Sequence, residues 1–469
     1  MEGGYTGREM KLVLLACCLS GFVTPLLSTM MNLSLVGIGE EFAVGSHMLG
    51  YVNTAFLMSS VVFMVPLSKA ADIVGKKRMF IAGVALILFA SILAVFSPSF
   101  WWLIACRVLM GAGAAASTST SISLITDVYT VNRGGAIGMQ TMCVYVGLAA
   151  GPPLGGTLND VIGWHALFLL IIPLSVGAIA CMSLFRHEIR PEQGRGFDVR
   201  GSMLYAIGIV AAMCGVMNMP QAWAFASLVA GIVFIAAFVI WQLRTPDYLL
   251  NVRLFKSRVF SGSCLAAFLN YAASYSIAYF MALYLQSIGA LTATQAGLLM
   301  LVQAGVQAVL TTYFGRLSDR VSDKRILPTA GMALTAVGVS MFLFYGTELD
   351  LPLVVATMVV LGTGTGMFSS PNTSVIMGAV GRDETSEASG VVAVMRQTGM
   401  MVSMGVAMMF ITLVMGGSDE LVPENYGLFV DVIHLSFGIC LVMCIVGAVV
   451  SMLRGKGTRA DSDGASRDI

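Results

Sequence analysis

Residues 68–78 read Ser-Lys-Ala-Ala-Asp-Ile-Val-Gly-Lys-Lys-Arg, and residues 315–325 read Gly-Arg-Leu-Ser-Asp-Arg-Val-Ser-Asp-Lys-Arg. Four of the eleven positions coincide, among them an Asp at the fifth and the closing Lys-Arg pair. Each stretch is a short charged connection between long apolar runs. Their recurrence far apart in the chain marks a duplicated unit.

The flanking runs decide the solvent. Of 469 residues, 57% are hydrophobic and 11% are charged, against roughly 25% charged in a soluble domain, so the chain cannot clothe a water-soluble surface and is read as an all-α integral membrane protein. Stretches long enough to cross a bilayer centre near residues 25, 58, 88, 114, 147, 175, 210, 232, 272, 304, 336, 362, 401 and 441. That makes fourteen. The seventh and eighth meet at a short turn around Pro220, with no charge between Arg200 and Arg244; fused into one re-entrant element they would lower the count to twelve. The first run stays uncharged between Lys11 and Glu40. It is far longer than a signal-peptide core and is read as a retained span.

Charge placement sets the expected topology. With both termini inside, 24 of the 26 basic residues fall in inner loops or at inner ends; the other two, Arg107 and Arg396, lie within spans. Acids such as Glu40, Glu41, Glu348, Asp350, Asp419, Glu420 and Glu424 collect outside. This is the positive-inside pattern, so a multi-pass protein of the plasma membrane with cytoplasmic termini is expected. A net charge of +1 argues against nucleic acid as a partner. The nine cysteines lack zinc or disulfide spacing, Gly75-Lys76 and Gly455-Lys456 lack the rest of an ATP-binding loop, and no nucleophile and base come together. Neither metal, cofactor, ATP nor enzymatic activity is expected; the partners are the lipid bilayer and a small molecule.

Further motifs carry a resemblance. The fourth span holds Arg107, Gly111 and Gly113 in the pattern R-x-x-x-G-x-G, and the fifth holds Gly147, Gly151, Pro152, Gly155 and Gly156 in G-x-x-x-G-P-x-x-G-G. Together with the two charged connections, which match G-x-L-a-D-R-x-G-R-K with Ser68 and Ile73 as departures in the first copy, and with Phe197-Asp198, Leu254-Phe255 and Arg396-Gln397, they make the chain similar to the major facilitator superfamily. The resemblance is to its fourteen-helix branch of drug:proton antiporters, the multidrug efflux transporters. It implies two six-helix bundles with two extra central helices: a cytoplasmic N-terminus (1–11), an N-terminal bundle (12–185), two inserted helices (200–243), a C-terminal bundle (259–453) and a disordered cytoplasmic tail (454–469). It further implies export of hydrophobic or amphiphilic molecules by alternating access in exchange for protons. Asp72, Gly75, Arg133, Asp319 and Arg320 would form the gating motif, with Asp127 helping Asp72 to latch the outward-facing state.

Three features bear on mechanism. Gly147, Gly151 and Gly155 recur every four residues, so they share a helix face that admits a close neighbour, and Pro152 and Pro153 bend that helix. They are read as a flexing seam between the halves or as a fixed packing seam. Arg107 sits in mid-span, where a cation costs roughly 2.5–3.5 kcal/mol; Gly111, Ala114, Thr118 and Ser121 share its face and suggest a water-lined path. The third feature is a departure. The branch usually has an Asp in its first span, in a stretch like L-D-x-T-x-V-N, and aligned on Asn32 that position is Leu27. Remaining coupling candidates are Arg107, Arg396, Asp127, Asp160 near His165, and Asp431 with His434. The departure opens two alternatives: a facilitator or exporter of neutral or anionic compounds without proton coupling, and a non-transporting membrane sensor on the same fold. Asn32, Tyr145, Asn270, Gln303, Gln307 and Asn372 are pocket candidates by position, and the 32 Met suit a pliable pocket.

Overall fold

The computed structural model describes residues 5–129, 133–189, 196–246, 248–321, 323–381, 384–416 and 421–455. Among them run fourteen long helices and no β-sheet. They are α1 (Gly7–Phe42), α2 (Ser46–Val74), α3 (Lys76–Val95), α4 (Phe100–Val128), α5 (Arg133–Ile162), α6 (Ala166–Leu184) and α7 (Val199–Met217). After them come α8 (Ala222–Arg244), α9 (Arg258–Ile288), α10 (Ala293–Arg320), α11 (Ile326–Phe344), α12 (Leu351–Gly378), α13 (Thr385–Met415) and α14 (Tyr426–Leu453). Thirteen are apolar and long enough to cross a membrane; α5 falls outside that set, yet it is 30 residues long. The α7–α8 pair forms two separate helices of 19 and 23 residues, so the twelve-span alternative does not describe this fold.

Side chains at the ends explain where helices start. Thr6 and Glu9 form a capping box on α1, Thr292 and Gln295 another on α10, and Ser99, Asp198 and Asp350 accept from first-turn amides of α4, α7 and α12. Each satisfies a donor that helix geometry leaves orphaned. Large apolar side chains such as Phe89, Val229, Val233 and Val442 point outward from the bundle, where lipid would meet them.

The helix packing repeats itself. In the first half α1 packs on α5 and α6, α2 on α4, and α3 on α4 and α6. Adding eight to each number reproduces the second half: α9 on α13 and α14, α10 on α12, α11 on α12 and α14. The halves meet where α5 lies against α10 and α2 against α13, and the α7–α8 pair leans on both α2 and α13. That pair is anchored at one end by Asp198, which accepts from Gly201 N (2.8 Å), Gln242 Nε2 (2.8 Å) and Trp241 Nε1 (3.1 Å). Both ends of the described chain, at Tyr5 and Gly455, lie on one face, with the charged repeats, termed the basic face. The opposite, acidic face carries Glu40, Glu41, Glu348, Asp350 and Glu424.

Candidate functional site

The two halves touch most closely toward the acidic face, and the fifth helix makes the contact. Gly147, Gly151 and Gly155 do not face the other half: a Cβ at Gly147 would lie 2.5 Å from the Phe22 carbonyl oxygen and one at Gly155 would lie 2.5 Å from that of Met30. They let α5 lie on the backbone of α1, around the 3-10 turn Met30–Ser34. Gly156 and Pro152 carry the cross-half contact, Gly156 against the backbone of Ala293 and Thr294 and Pro152 against Gly297. One motif therefore serves two seams.

Asp160 completes this end. Its carboxylate accepts from Ala293 N (3.2 Å), Thr294 N (2.7 Å) and Thr294 Oγ1 (2.6 Å), capping α10 from the opposite half. The same carboxylate gains from the helix dipole. Tyr279 Oη donates to Ser46 O at 2.8 Å, and Met408 fills the space beside Gly50. Toward mid-height, Gln397 Nε2 donates to Ser60 Oγ at 3.0 Å. Among the described residues no hydrogen bond joins the halves nearer the basic face. There Met139 and Met142 of α5 and Val309 and Tyr313 of α10 are exposed. Among the described residues the contacts that join the halves gather toward the acidic face.

Arg107 lies fully buried between α4, α2 and α1. Its Nε donates to Val52 O (2.9 Å), its Nη1 to Leu27 O (3.1 Å), and its guanidinium covers the Phe56 ring at 4.6 Å. Two hydrogen bonds from a charged donor, about 1.5–3 kcal/mol each, and a desolvated cation–π contact of about 2 kcal/mol exceed the insertion cost, so the cation can be held without an acid. The residue at the position of the branch's usual Asp supplies a carbonyl instead. Nη2 remains without a partner. Of the face shared by Gly111, Ala114, Thr118 and Ser121, three members are packed rather than water-lined: Gly111 lies against Phe56 and Ser59, Ala114 and Ser121 are buried, and Thr118 is half-buried. Small residues there serve close helix approach.

Opposite Arg107 stands Tyr275 of α9, near enough to interact electrostatically, with its hydroxyl 2.5 Å from that of Ser28. One turn earlier on α9, Tyr271 shares the neighbourhood of Tyr145 of α5 and Arg396 of α13. Arg396 is half-buried, and its Nε is buried without a partner. The result is a two-tier column of arginine and tyrosine where both halves meet. Tyr271, Tyr275, Ser28 and Phe56 were not singled out from the sequence; the i, i+4 tyrosine pair on a span was the available signal.

The remaining candidates are dispersed. Asn32 accepts from Asn53 Nδ2 at 2.6 Å within the first half, Asn270 donates to Met332 Sδ at 3.2 Å, and Asn372 binds Arg454, which also donates to Ser263 Oγ at 2.9 Å. Burial lowers the Arg454 guanidinium to about 10. Gln303 and Gln307 are half-buried on α10. Asp127 pairs with Lys76 at 2.6 Å, His434 Nε2 lies 2.9 Å from Tyr345 O, and Asp431 is exposed. In the gating motif Gly75 has φ +115° and lies against Glu188, a residue the motif does not include. The Glu188 carboxylate accepts from Lys77 N at 3.1 Å and Arg78 N at 3.4 Å. Asp72 makes contacts of its own, Arg320 is exposed, and the side chains of Arg133 and Asp319 lie outside the described residues, as does the tail from 456 onward.

The signature of the Major Facilitator Superfamily spans residues 17–248 and 263–467. The chain belongs to this superfamily, whose members are transporters rather than enzymes. It is 27% identical over 399 residues to the multidrug resistance protein Stp of Mycobacterium tuberculosis, covering 84% of this chain and 74% of that one. It is 27% identical over 370 residues to the multidrug efflux pump LfrA of Mycolicibacterium smegmatis (78% and 73% covered), and 24% over 375 residues to the riboflavin transporter RibZ of Clostridioides difficile (80% and 82%). In fold it is similar to a bacterial homolog of the human lysosomal transporter Spinster in an inward-facing, unoccupied conformation, with a TM-score of 0.68 at 17% identity over 96% of this chain and 98% of that one.

Proposed function

We propose that the chain is a secondary-active exporter of hydrophobic or amphiphilic small molecules in the plasma membrane, with both termini in the cytoplasm. Two six-helix halves, 12–185 and 259–453, rock about the α5–α10 and α2–α13 contacts, and residues 200–243 bridge them. The observation that carries this reading is the asymmetry between the faces, with the described contacts between the halves gathered at the acidic one, at Gly156, Pro152 and Asp160, as alternating access requires of a carrier caught in one state. The multidrug relatives support the substrate range. The basic face is cytoplasmic on the positive-inside pattern, which makes this state inward-facing. Asp72 latches the opposite state.

A second reading has its own observation. Leu27 offers Arg107 a carbonyl and not a titrating carboxylate, which favours transport without proton exchange. Reconstitution tests both. Proteoliposomes holding the chain and loaded in turn with a neutral, a cationic and an anionic fluorescent dye are expected to release at least one of them faster than protein-free vesicles. A pH gradient separates exchange with protons from uncoupled flux. Release of no dye above background would make the chain a sensor on a carrier fold.

A further inference from the structure

Resting on the export reading, we infer that the central column takes an organic anion, and that the membrane potential, with no proton exchanged, drives it out. The column holds two guanidinium groups, Arg396 in the lower tier and Arg107 in the upper, and each keeps a buried nitrogen without a partner, Nε of the first and Nη2 of the second. Buried donors on a cation are a standing vacancy for an acceptor. The hydroxyls that accompany them, on Tyr145, Tyr271, Tyr275 and Ser28, are neutral and can donate to an anion. Their rings, with Phe56, present apolar and aromatic surface to the rest of an amphiphile. In this state Arg396 is half-buried and Arg107 fully buried, so an anion meets Arg396 first and Arg107 after it, the two tiers being marked by Tyr271 and Tyr275 about one helical turn, roughly 6 Å, apart on α9.

The charges decide the energy source as well. None of the 25 acidic residues lies at mid-membrane; of the four histidines, those at 47, 165 and 187 sit at helix ends or in connections, and His434, about two turns into α14, lies against the Tyr345 carbonyl at 2.9 Å. The residues of the column itself include no carboxylate or imidazole to carry a proton one way and return empty. An anion needs none. A potential of 100 mV, inside negative, expels one negative charge with about 2.3 kcal/mol, a roughly 50-fold gradient at equilibrium. Cationic cargo would have to climb the same potential and would need proton exchange to do so.

A matched pair of fixed charges on one ring system tests this: naphthalene-1-sulfonate and N,N,N-trimethyl-1-naphthylammonium, loaded into proteoliposomes of the full chain. Valinomycin sets a potassium diffusion potential, and a pH jump sets a proton gradient at zero potential. The sulfonate is expected to leave faster as the interior is made negative, toward a roughly 50-fold gradient at 100 mV, with no response to the pH jump. Arg396→Gln is expected to raise its half-saturating concentration tenfold or more, with Arg396→Lys recovering part of the loss. Arg396 is half-buried, so these variants keep the test open should Arg107→Gln fail to fold. Selective release of the ammonium, sulfonate flux that follows the pH jump and ignores the potential, or an unaltered Arg396→Gln protein would each overturn the inference. Vesicles that release other dyes but never the sulfonate overturn it while leaving export standing; vesicles that release nothing overturn the export reading itself.

Discussion

The acidic and basic ends of the molecule are held by different kinds of contact. At the acidic end the halves are joined to each other, backbone against backbone at Gly156 and Gly297 and through the carboxylate of Asp160 on the first turn of α10. At the basic end each half is pinned to itself. Lys76 pairs with Asp127 and Glu188 clasps the start of α3 in the first half, while Arg325 pairs with Asp323 at 2.8 Å and Arg454 ties α14 to α9 and α12 in the second. The lesson is that two stiff halves can be joined by contacts gathered toward one end. A cap and a glycine contact are worth a few kcal/mol together, small enough to be exchanged for substrate contacts within a transport cycle.

The largest effect is expected where backbone meets backbone. Gly156→Leu puts a branched side chain where the Ala293 backbone lies, an overpacking of about 1–3 kcal/mol that favours parting of the acidic end by roughly 5- to 150-fold. Dye release should fall about as far, and spin labels across α5 and α10 should report the wider gap; an unchanged distance would show that the seam does not close the molecule. Next comes Leu27→Asp. A carboxylate beside Arg107 would occupy its free donor, with about 1.5–3 kcal/mol, so anion transport should weaken by tenfold or more and what remains should respond to a pH gradient. Equal flux at all gradients would mean that Arg107 has no part in the path.

Asp160→Ala is milder. Losing one cap costs about 1 kcal/mol and should shift the closed fraction about fivefold, read as faster thiol labelling of a cysteine placed at residue 292. The smallest effect belongs to Glu188→Gln, which weakens two amide hydrogen bonds at the basic end by a few tenths of a kcal/mol to about 1 kcal/mol. Amide exchange at Lys77 and Arg78 should quicken a few-fold with little loss of transport. A loss as large as that of Gly156→Leu would erase the distinction between the ends.

The spans were legible because bilayer thickness demands one long apolar run per crossing, and the repeat was legible because its charged connections cannot enter lipid. Even the glycine-rich α5 showed through its motif. Partners were not legible. Four-residue spacing says that Gly147, Gly151 and Gly155 share a face, but not that α1 of the same half lies on it while Gly156 faces α10. The small residues below Arg107 fit a water path and close packing equally well by composition, and only the position of α2 decides for packing. Asn270 and Asn372 resemble pocket residues by depth alone; Met332 and Arg454, distant in sequence, occupy them. Asp160 was visible as an acid near a span end, but its target in the other half was not.

Rocking between the two ends is tested most directly by paired distances in one reconstituted protein. One spin-label pair would sit at Gly138 and Tyr313 across the basic end, the other at Ile162 and Thr292 across the acidic end, each measured with and without a transported dye. The expected result is reciprocal, a shorter distance at the basic end together with a longer one at the acidic end. Two distances that stay fixed while the same vesicles release dye would contradict it.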